Sequence, residues 1–245
     1  MLPVLFRIGS FEITSFGVMV ALGALAGLWL FRRELARATL PDAAVDAAVY
    51  GLVGGLLGAK LLYVVEHLDE GSFLSLFLDR GGMSWFGGFV GGLLAGYATI
   101  RAKGWPMLAV LSAATPALAV GQMLGRVGCF LVGDDYGSPT PLPWGVAFPR
   151  GLPPTTERVH PTQLYEAVFL AGLAWLLIRW RRQGLSDRSV LGRYLMIAGA
   201  FRFLLEFLRV NTRVAGPLTV AHFFALGVVL LGMVVVGSGR RPARS

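Results

Sequence analysis

The sequence predicts an all-α polytopic membrane protein with seven transmembrane helices, and three observations carry that expectation. The first is composition. The 245 residues are 55% hydrophobic and 15% charged, against about 25% charged in an average soluble domain, and the mean hydropathy is +0.66. The second is seven apolar runs near the length that a helix needs to cross a bilayer. The third is the gathering of arginines at the ends of those runs. Together they exclude a soluble globule, a disordered chain and a disulfide-stapled secreted domain. A net charge of +8 would also suit a nucleic-acid binder, but charge placed at span ends is a mark of membrane topology, so no nucleic-acid partner is expected. Cys129 is the one cysteine. It leaves no intrachain disulfide and too few thiolates for a metal cluster, so neither metal nor cofactor is expected.

The runs are about Ser15–Phe31, Ala43–Val65, Ser84–Ile100, Met107–Gly125, Leu164–Ile178, Leu191–Leu208 and Val220–Val236. Lipid offers no hydrogen bonds to bare backbone, which makes these runs helices. The fifth is short unless it begins before Leu164 or takes in Trp180. Twelve basic residues follow the odd-numbered spans: Arg32, Arg33, Arg37, Arg101, Lys103, Arg179, Arg181, Arg182, Arg188, Arg240, Arg241 and Arg244. Seven lie on the other side, at Arg7, Arg80, Arg126, Arg150, Arg158, Arg209 and Arg213, spread over longer loops. The positive-inside bias therefore predicts an outside (periplasmic) N-terminus and a cytoplasmic C-terminus. The first span is no cleavable signal, because its basic cluster follows it. Residues 1–245 read as a single transmembrane domain.

Two outer-face segments stand out. Residues 67–83 set Leu68, Phe73, Leu74, Leu76, Phe77 and Leu78 among charges, as in an interfacial helix; a loop folded over the bundle fits equally. Residues 126–163 hold seven of the 13 prolines and read as a stiff, irregular loop of a length that is uncommon without a function. Overlapping small-residue spacings at Gly51/Gly55, Gly54/Gly58, Gly88/Gly92/Gly96 and Gly121/Gly125 predict close helix packing.

Charges within the apolar runs are costly, about 2.5–3.5 kcal/mol each at the bilayer centre. Lys60 lies well inside the second run. Arg202, Glu206 and Arg209 share one face at the end of the sixth. Either Arg202 and Glu206 neutralise each other, or two arginines against one glutamate leave a spare positive charge for an anion at headgroup depth. Gly125-Arg126-Val-Gly128-Cys129 through Gly133-Asp134-Asp135-Tyr136-Gly137 reads as a helix running out into a glycine-rich turn headed by an arginine. Glycines there would let backbone N–H groups reach a ligand, and arginine supplies a bidentate fork for phosphate. His160-Pro-Thr-Gln163-Leu-Tyr165-Glu166 opens the fifth span with polar groups, better suited to support than to chemistry.

These segments resemble the motifs of the prolipoprotein diacylglyceryl transferase family. Besides the two just quoted, Gly58-Ala-Lys60-Leu-Leu-Tyr63, Gly81-Gly-Met-Ser-Trp-Phe-Gly87-Gly88 and Phe201-Arg202-Phe-Leu-Leu-Glu206-Phe207-Leu-Arg209 match in order, over nearly the whole chain. The resemblance implies a bacterial cytoplasmic (inner) membrane enzyme with its active site toward the outer leaflet. It implies transfer of the diacylglyceryl group of phosphatidylglycerol to the lipobox cysteine of a preprolipoprotein signal peptide, with glycerol phosphate released. It makes Arg126, Arg202 and Glu206 the catalytic candidates. Arg126, Arg202, Arg209, Gly128, Asp134 and Gly137 become the phosphatidylglycerol-binding set, with His160, Gln163, Glu166 and Lys60 as supports or bases. The chain departs from the family at Phe16, where tyrosine is familiar, at Phe86, where histidine or tyrosine is, and at Cys129, where asparagine is usual. Two polar groups are thus missing. The proton acceptor falls to Glu206, Asp134 or His160, unless the arginine field ionises the thiol alone. The alternative is a non-catalytic or altered-specificity paralogue that binds phospholipid or lipoprotein precursor.

Overall fold

A computed structural model describes residues 1–9, 11–79 and 81–238. The positions of Arg80, Arg240, Arg241 and Arg244 in the charge argument lie outside the described residues. The long helices are α1 (Ser15–Arg37) and α2 (Asp46–Glu66), then, after the six-residue α3 (Phe73–Leu78), α4 (Trp85–Ala102), α5 (Met107–Val132), α6 (Thr162–Arg182), α7 (Asp187–Glu206) and α8 (Val220–Gly237). Each coincides with one apolar run. The helix α6 both starts before Leu164 and takes in Trp180, which gives it 21 residues. Among the described residues, four segments, Ser15–Arg37, Asp42–Glu66, Met107–Val132 and Val220–Gly237, are long and apolar enough to cross a membrane on length and composition. Glycine dilutes α4, and charged ends dilute α6 and α7.

Among the described residues, three antiparallel hairpins accompany the helices: β1–β2 (Val4–Ile8, Phe11–Thr14) before α1, β3–β4 (Val146–Phe148, Thr155–Val159) between α5 and α6, and β5–β6 (Arg213–Ala215, Leu218–Thr219) between α7 and α8. None was expected, because a search for apolar runs passes over strands of two to five residues. The expected loop over 126–163 is corrected at both ends. Helix α5 continues through Arg126 to Val132 before the chain turns at Gly133 (φ +82°) and Asp135 (φ +59°), and β3–β4 orders the rest. Among its described residues, segment 67–83 is helical only over α3, capped by Ser72, whose hydroxyl accepts the Ser75 N–H. Phe73, Leu74 and Leu78 are exposed there.

The chain divides into two compact units, one of residues 1–30 and 111–245, the other of residues 31–110. In the second, α2 packs on α4 through glycine. A Cβ at Gly58 would sit 2.3 Å from the Gly87 carbonyl oxygen, and one at Gly91 2.3 Å from that of Gly54. The tightest contact therefore runs through Gly87 and Gly91 rather than the expected Gly88/Gly92/Gly96 row. Small residues allow this approach, and dispersion together with weak Cα–H···O contacts then holds the pair.

In the first unit, Ala119 of α5, Leu170, Leu173, Ala174 and Leu177 of α6, and Val190 and Tyr194 of α7 form a buried cluster. Helix α5 passes through Pro116 without a break. Proline removes the N–H that would bond the carbonyl four residues back, that of Ser112; the Thr115 hydroxyl donates to that oxygen instead, at 2.9 Å. The freed acceptor is thus satisfied inside the helix bundle.

Candidate functional site

Arg126, Asp135, Glu166, Arg202, Glu206 and Arg209 meet within the first unit, where α5 and α7 end and α6 begins. Arg126 projects from α5. Its Nη1 donates to Asp135 Oδ2 at 2.7 Å, and its Nε lies 2.8 Å from Glu166 Oε2 on α6. Arg209, three residues past α7, donates from Nη2 to Asp135 Oδ1 at 2.6 Å. Within α7, Arg202 Nη1 lies 2.5 Å from Glu206 Oε2, and Arg209 Nε lies 3.9 Å from the same oxygen. Arg126, Arg209 and Arg202 therefore belong to one network, linked in turn by Asp135 and Glu206. Residues 76 positions apart in sequence converge because the helix ends carrying them adjoin.

The backbone fixes that convergence. Gly137 N–H donates to the His160 carbonyl at 2.9 Å, Ser138 N–H to Leu208 at 2.7 Å, and His160 N–H to Ser138 at 3.0 Å. Three segments are stitched together directly beside Arg209. A Cβ at Gly137 would lie 2.5 Å from the Leu208 carbonyl oxygen, so only glycine admits this junction. Gly128 is likewise filled from within: its missing side chain leaves room for Met19 Cβ at 3.0 Å and the Phe16 ring at 3.3 Å. Since Gly128 lies inside α5, its N–H is not in a turn open to a ligand. The ligand-approach role expected for these two glycines gives way to close packing.

The carboxylates differ in setting. Glu206 is fully buried and its Oε1 accepts the Thr219 hydroxyl at 2.7 Å and the Asn211 amide at 2.7 Å. Its Oε2 is ion-paired with Arg202 at 2.5 Å and lies 3.9 Å from Arg209, without a hydrogen bond to either. Asp134 has no hydrogen-bond partner for Oδ1, which is buried. Burial, with Asp135 beside it, raises its proton affinity above the usual carboxylate range, against the opposing pull of the Cys129 thiol, Arg126 and Arg209. Burial also pushes Asp135 up, but the charges and hydrogen bonds of Arg209 and Arg126 outweigh it and hold Asp135 below that range. Three arginines thus face Asp135, Glu166 and Glu206, and Asp134 adds a fourth carboxyl. The spare positive charge expected from Arg202, Glu206 and Arg209 alone is absent once the whole network is counted.

The residues expected as supports or bases make the following contacts. The Thr162 hydroxyl donates to the Asp135 carbonyl at 2.9 Å and Gln163 Nε2 to the Asp134 carbonyl at 2.5 Å, which anchors the acidic turn to the start of α6. Tyr165 Oη accepts from Trp144 Nε1 at 2.8 Å and lies 3.3 Å from His160 Nδ1, so His160 is held by a tyrosine. Lys60 belongs to the second unit and donates to the carbonyls of Asp79, Gly81 and Gly82 at 2.7, 2.7 and 3.3 Å. All three of its N–H bonds are engaged, which removes it as a base and makes it the staple of the turn before α4. Sequence reasoning missed Asn211 and Thr219. The signal was faint: Thr219 opens α8 as one half of a capping box with His222. Cys129 is buried.

A family model described as prolipoprotein diacylglyceryl transferase matches residues 3–237. The phosphatidylglycerol–prolipoprotein diacylglyceryl transferase of Clostridium tetani is 35% identical over 98% of this chain and 98% of its own. Its namesake in Geobacter sulfurreducens is 34% identical over 94% and 92%, and that of Gloeobacter violaceus 32% over 99% and 94%. An arginine–carboxylate network at adjoining helix ends, apolar helices suited to a membrane, and similarity over the full length converge: the chain belongs to the prolipoprotein diacylglyceryl transferase family.

Proposed function

We propose that this protein transfers the diacylglyceryl group of phosphatidylglycerol to the lipobox cysteine of a preprolipoprotein and releases glycerol phosphate. The single observation that carries the reading is the joining of Arg126 and Arg209 through one carboxylate, with Arg202 on the same network. Guanidiniums from separate elements aimed at one oxyanion position are what a departing phosphate requires.

In the reaction, the substrate thiolate attacks the glycerol carbon that bears the phosphate ester. A C–S bond forms, the C–O bond breaks, and the bonding pair leaves with the phosphate. Arg126 and Arg202 stabilise the charge that grows on that oxygen, and Arg209 adds to the field. Glu206 and Glu166 orient the arginines. A free thiol near pKa 8.5 needs a base or a positive field. Asp134 takes the proton, because it combines a buried oxygen that lacks a partner with a raised proton affinity. Gly128 and Gly137 serve phospholipid binding by letting the chain close around the site. An apolar groove of about 270 Å³ lined by Ala200, Phe203, Leu204, Leu226 and Val229, beginning next to Arg202 in sequence, gives an acyl tail a surface. His160 and Gln163 hold the acidic turn.

The seven long helices span the bacterial cytoplasmic membrane as one functional domain, with the N-terminus outside and the C-terminus inside. The site opens to the outer leaflet, with α3 at the interface. The charge distribution around α1, α4 and α6 supports this orientation. Purified protein given phosphatidylglycerol and a lipobox peptide yields lipidated peptide. Arg126→Ala and Arg202→Ala each lower the rate by about 10²–10³ or more, and full activity in either defeats the assignment. Phe16 and Phe86 favour a second reading, a phospholipid-binding paralogue, for which the same assay gives binding without turnover.

A further inference from the structure

Asp135 differs from the other carboxylates of the network. Glu206 and Glu166 are anchored in helices and are 0% and 12% exposed, whereas the Asp135 side chain is 43% exposed. It sits on the turn after α5 with a left-handed backbone, φ +59°, unusual for a residue other than glycine, asparagine or aspartate. Its two oxygens are divided between two guanidiniums: Oδ2 accepts from Arg126 Nη1 at 2.7 Å and Oδ1 from Arg209 Nη2 at 2.6 Å. That is how a phosphate would lie between these arginines.

We propose that Asp135 is the resident counter-ion of the phosphate seat: its carboxylate bridges Arg126 and Arg209 in the empty enzyme, yields both to the headgroup phosphate, and returns as glycerol phosphate leaves. The inference rests on the transferase reading above. Exchange of one anion for another leaves neither guanidinium bare at any stage, which matters where an unpaired buried charge is costly. The backbone stays in place during the exchange, since Thr162 and Gln163 hold the carbonyls of Asp135 and Asp134. Only the exposed side chain swings. The arginines keep Asp135 ionised below the ordinary carboxylate range, so the seat empties by displacement rather than by protonation. The exchange also favours turnover. The substrate phosphodiester carries one negative charge and the released monoester up to two, so Arg126 and Arg209 without Asp135 would hold product more tightly than substrate. A carboxylate that re-enters the seat opposes that.

The test compares wild type, Asp135→Asn and Asp135→Gly, purified in one detergent. Asparagine tolerates the left-handed backbone and glycine relieves it. Calorimetric binding of glycerol phosphate needs no turnover. Removing an internal competitor raises apparent affinity by the inverse of the fraction of empty seats. Glycerol phosphate should therefore bind the variants about tenfold tighter, with a lower KM for phosphatidylglycerol, stronger product inhibition and a lower kcat. Folded variants with unchanged or weaker glycerol phosphate binding overturn the proposal, as does a rise in KM with loss of thermal stability, which marks a purely structural bridge. Should the variants fail to fold, a wild-type structure with glycerol phosphate decides: Asp135 turned away from Arg126 and Arg209 supports the exchange, and Asp135 still bridging them refutes it. If wild type transfers nothing, the transferase reading fails, while the binding comparison still decides the role of Asp135.

Discussion

Burial pushes both Asp134 and Asp135 up, and Asp135 alone ends below the ordinary carboxylate range because the charges and hydrogen bonds of Arg209 and Arg126 outweigh its burial. Asp135 accepts hydrogen bonds from two, whereas Asp134 Oδ1 has no partner and is buried. As proton acceptor, Asp134 must be ionised, so kcat/KM falls as pH drops through its raised pKa. Asp134→Asn should remove that acid limb and cost about 10²–10⁴ in rate; a limb that persists in the variant excludes the role. For stability the sign is reversed. An acid whose folded pKa is raised imposes a desolvation cost that is absent below the unfolded pKa and complete above the folded one. Asp134→Asn should therefore raise the melting temperature at neutral pH while it lowers activity, a pairing expected of a functional group held in a strained setting.

At the scale of the element, glycine decides how closely helices approach. Gly91 of α4 faces the Gly54 carbonyl with no room for a Cβ, whereas Gly227 of α8 has nothing within 4 Å. Gly91→Leu should destabilise the protein by about 1–3 kcal/mol through overpacking, and Gly227→Leu should be nearly neutral. Equal melting temperatures for the two in detergent would show that the α2–α4 contact contributes little. The short β5–β6 hairpin matters for the site out of proportion to its length. It brings Thr219 onto Glu206 at 2.7 Å, while Asn211, just before the hairpin, reaches the same oxygen.

For the whole molecule, the expectation concerns orientation. Arg37, Lys103, Arg181 and Arg182 lie at the ends of α1, α4 and α6 that the positive-inside bias assigns to the cytoplasm. A reporter fused after residue 238 should be active only in the cytoplasm, and one inserted near Gly71 or Pro141 only outside. The reverse pattern would place the proposed site on the wrong side of the membrane for lipoprotein precursors.

Apolar run length and the charge at run ends determined the seven long helices, because a spanning helix satisfies its own backbone and needs little else from the chain. The motifs likewise marked Arg126, Arg202, Glu206 and Arg209, since charge within apolar sequence is conspicuous. The extension of α5 to Val132 was not legible, because Gly125 and Gly128 read as a turn until Met19 and Phe16 are seen filling the space beside Gly128. Nor was the charge balance of the site. It depends on Asp135 and Glu166, one on a turn after α5 and one on α6, reaching the arginine Arg126, and Coulomb energy depends on distance through space rather than along the chain. Only the tertiary structure turned the excess of positive charge expected from the sequence into a paired network in which Asp135 bridges Arg126 and Arg209.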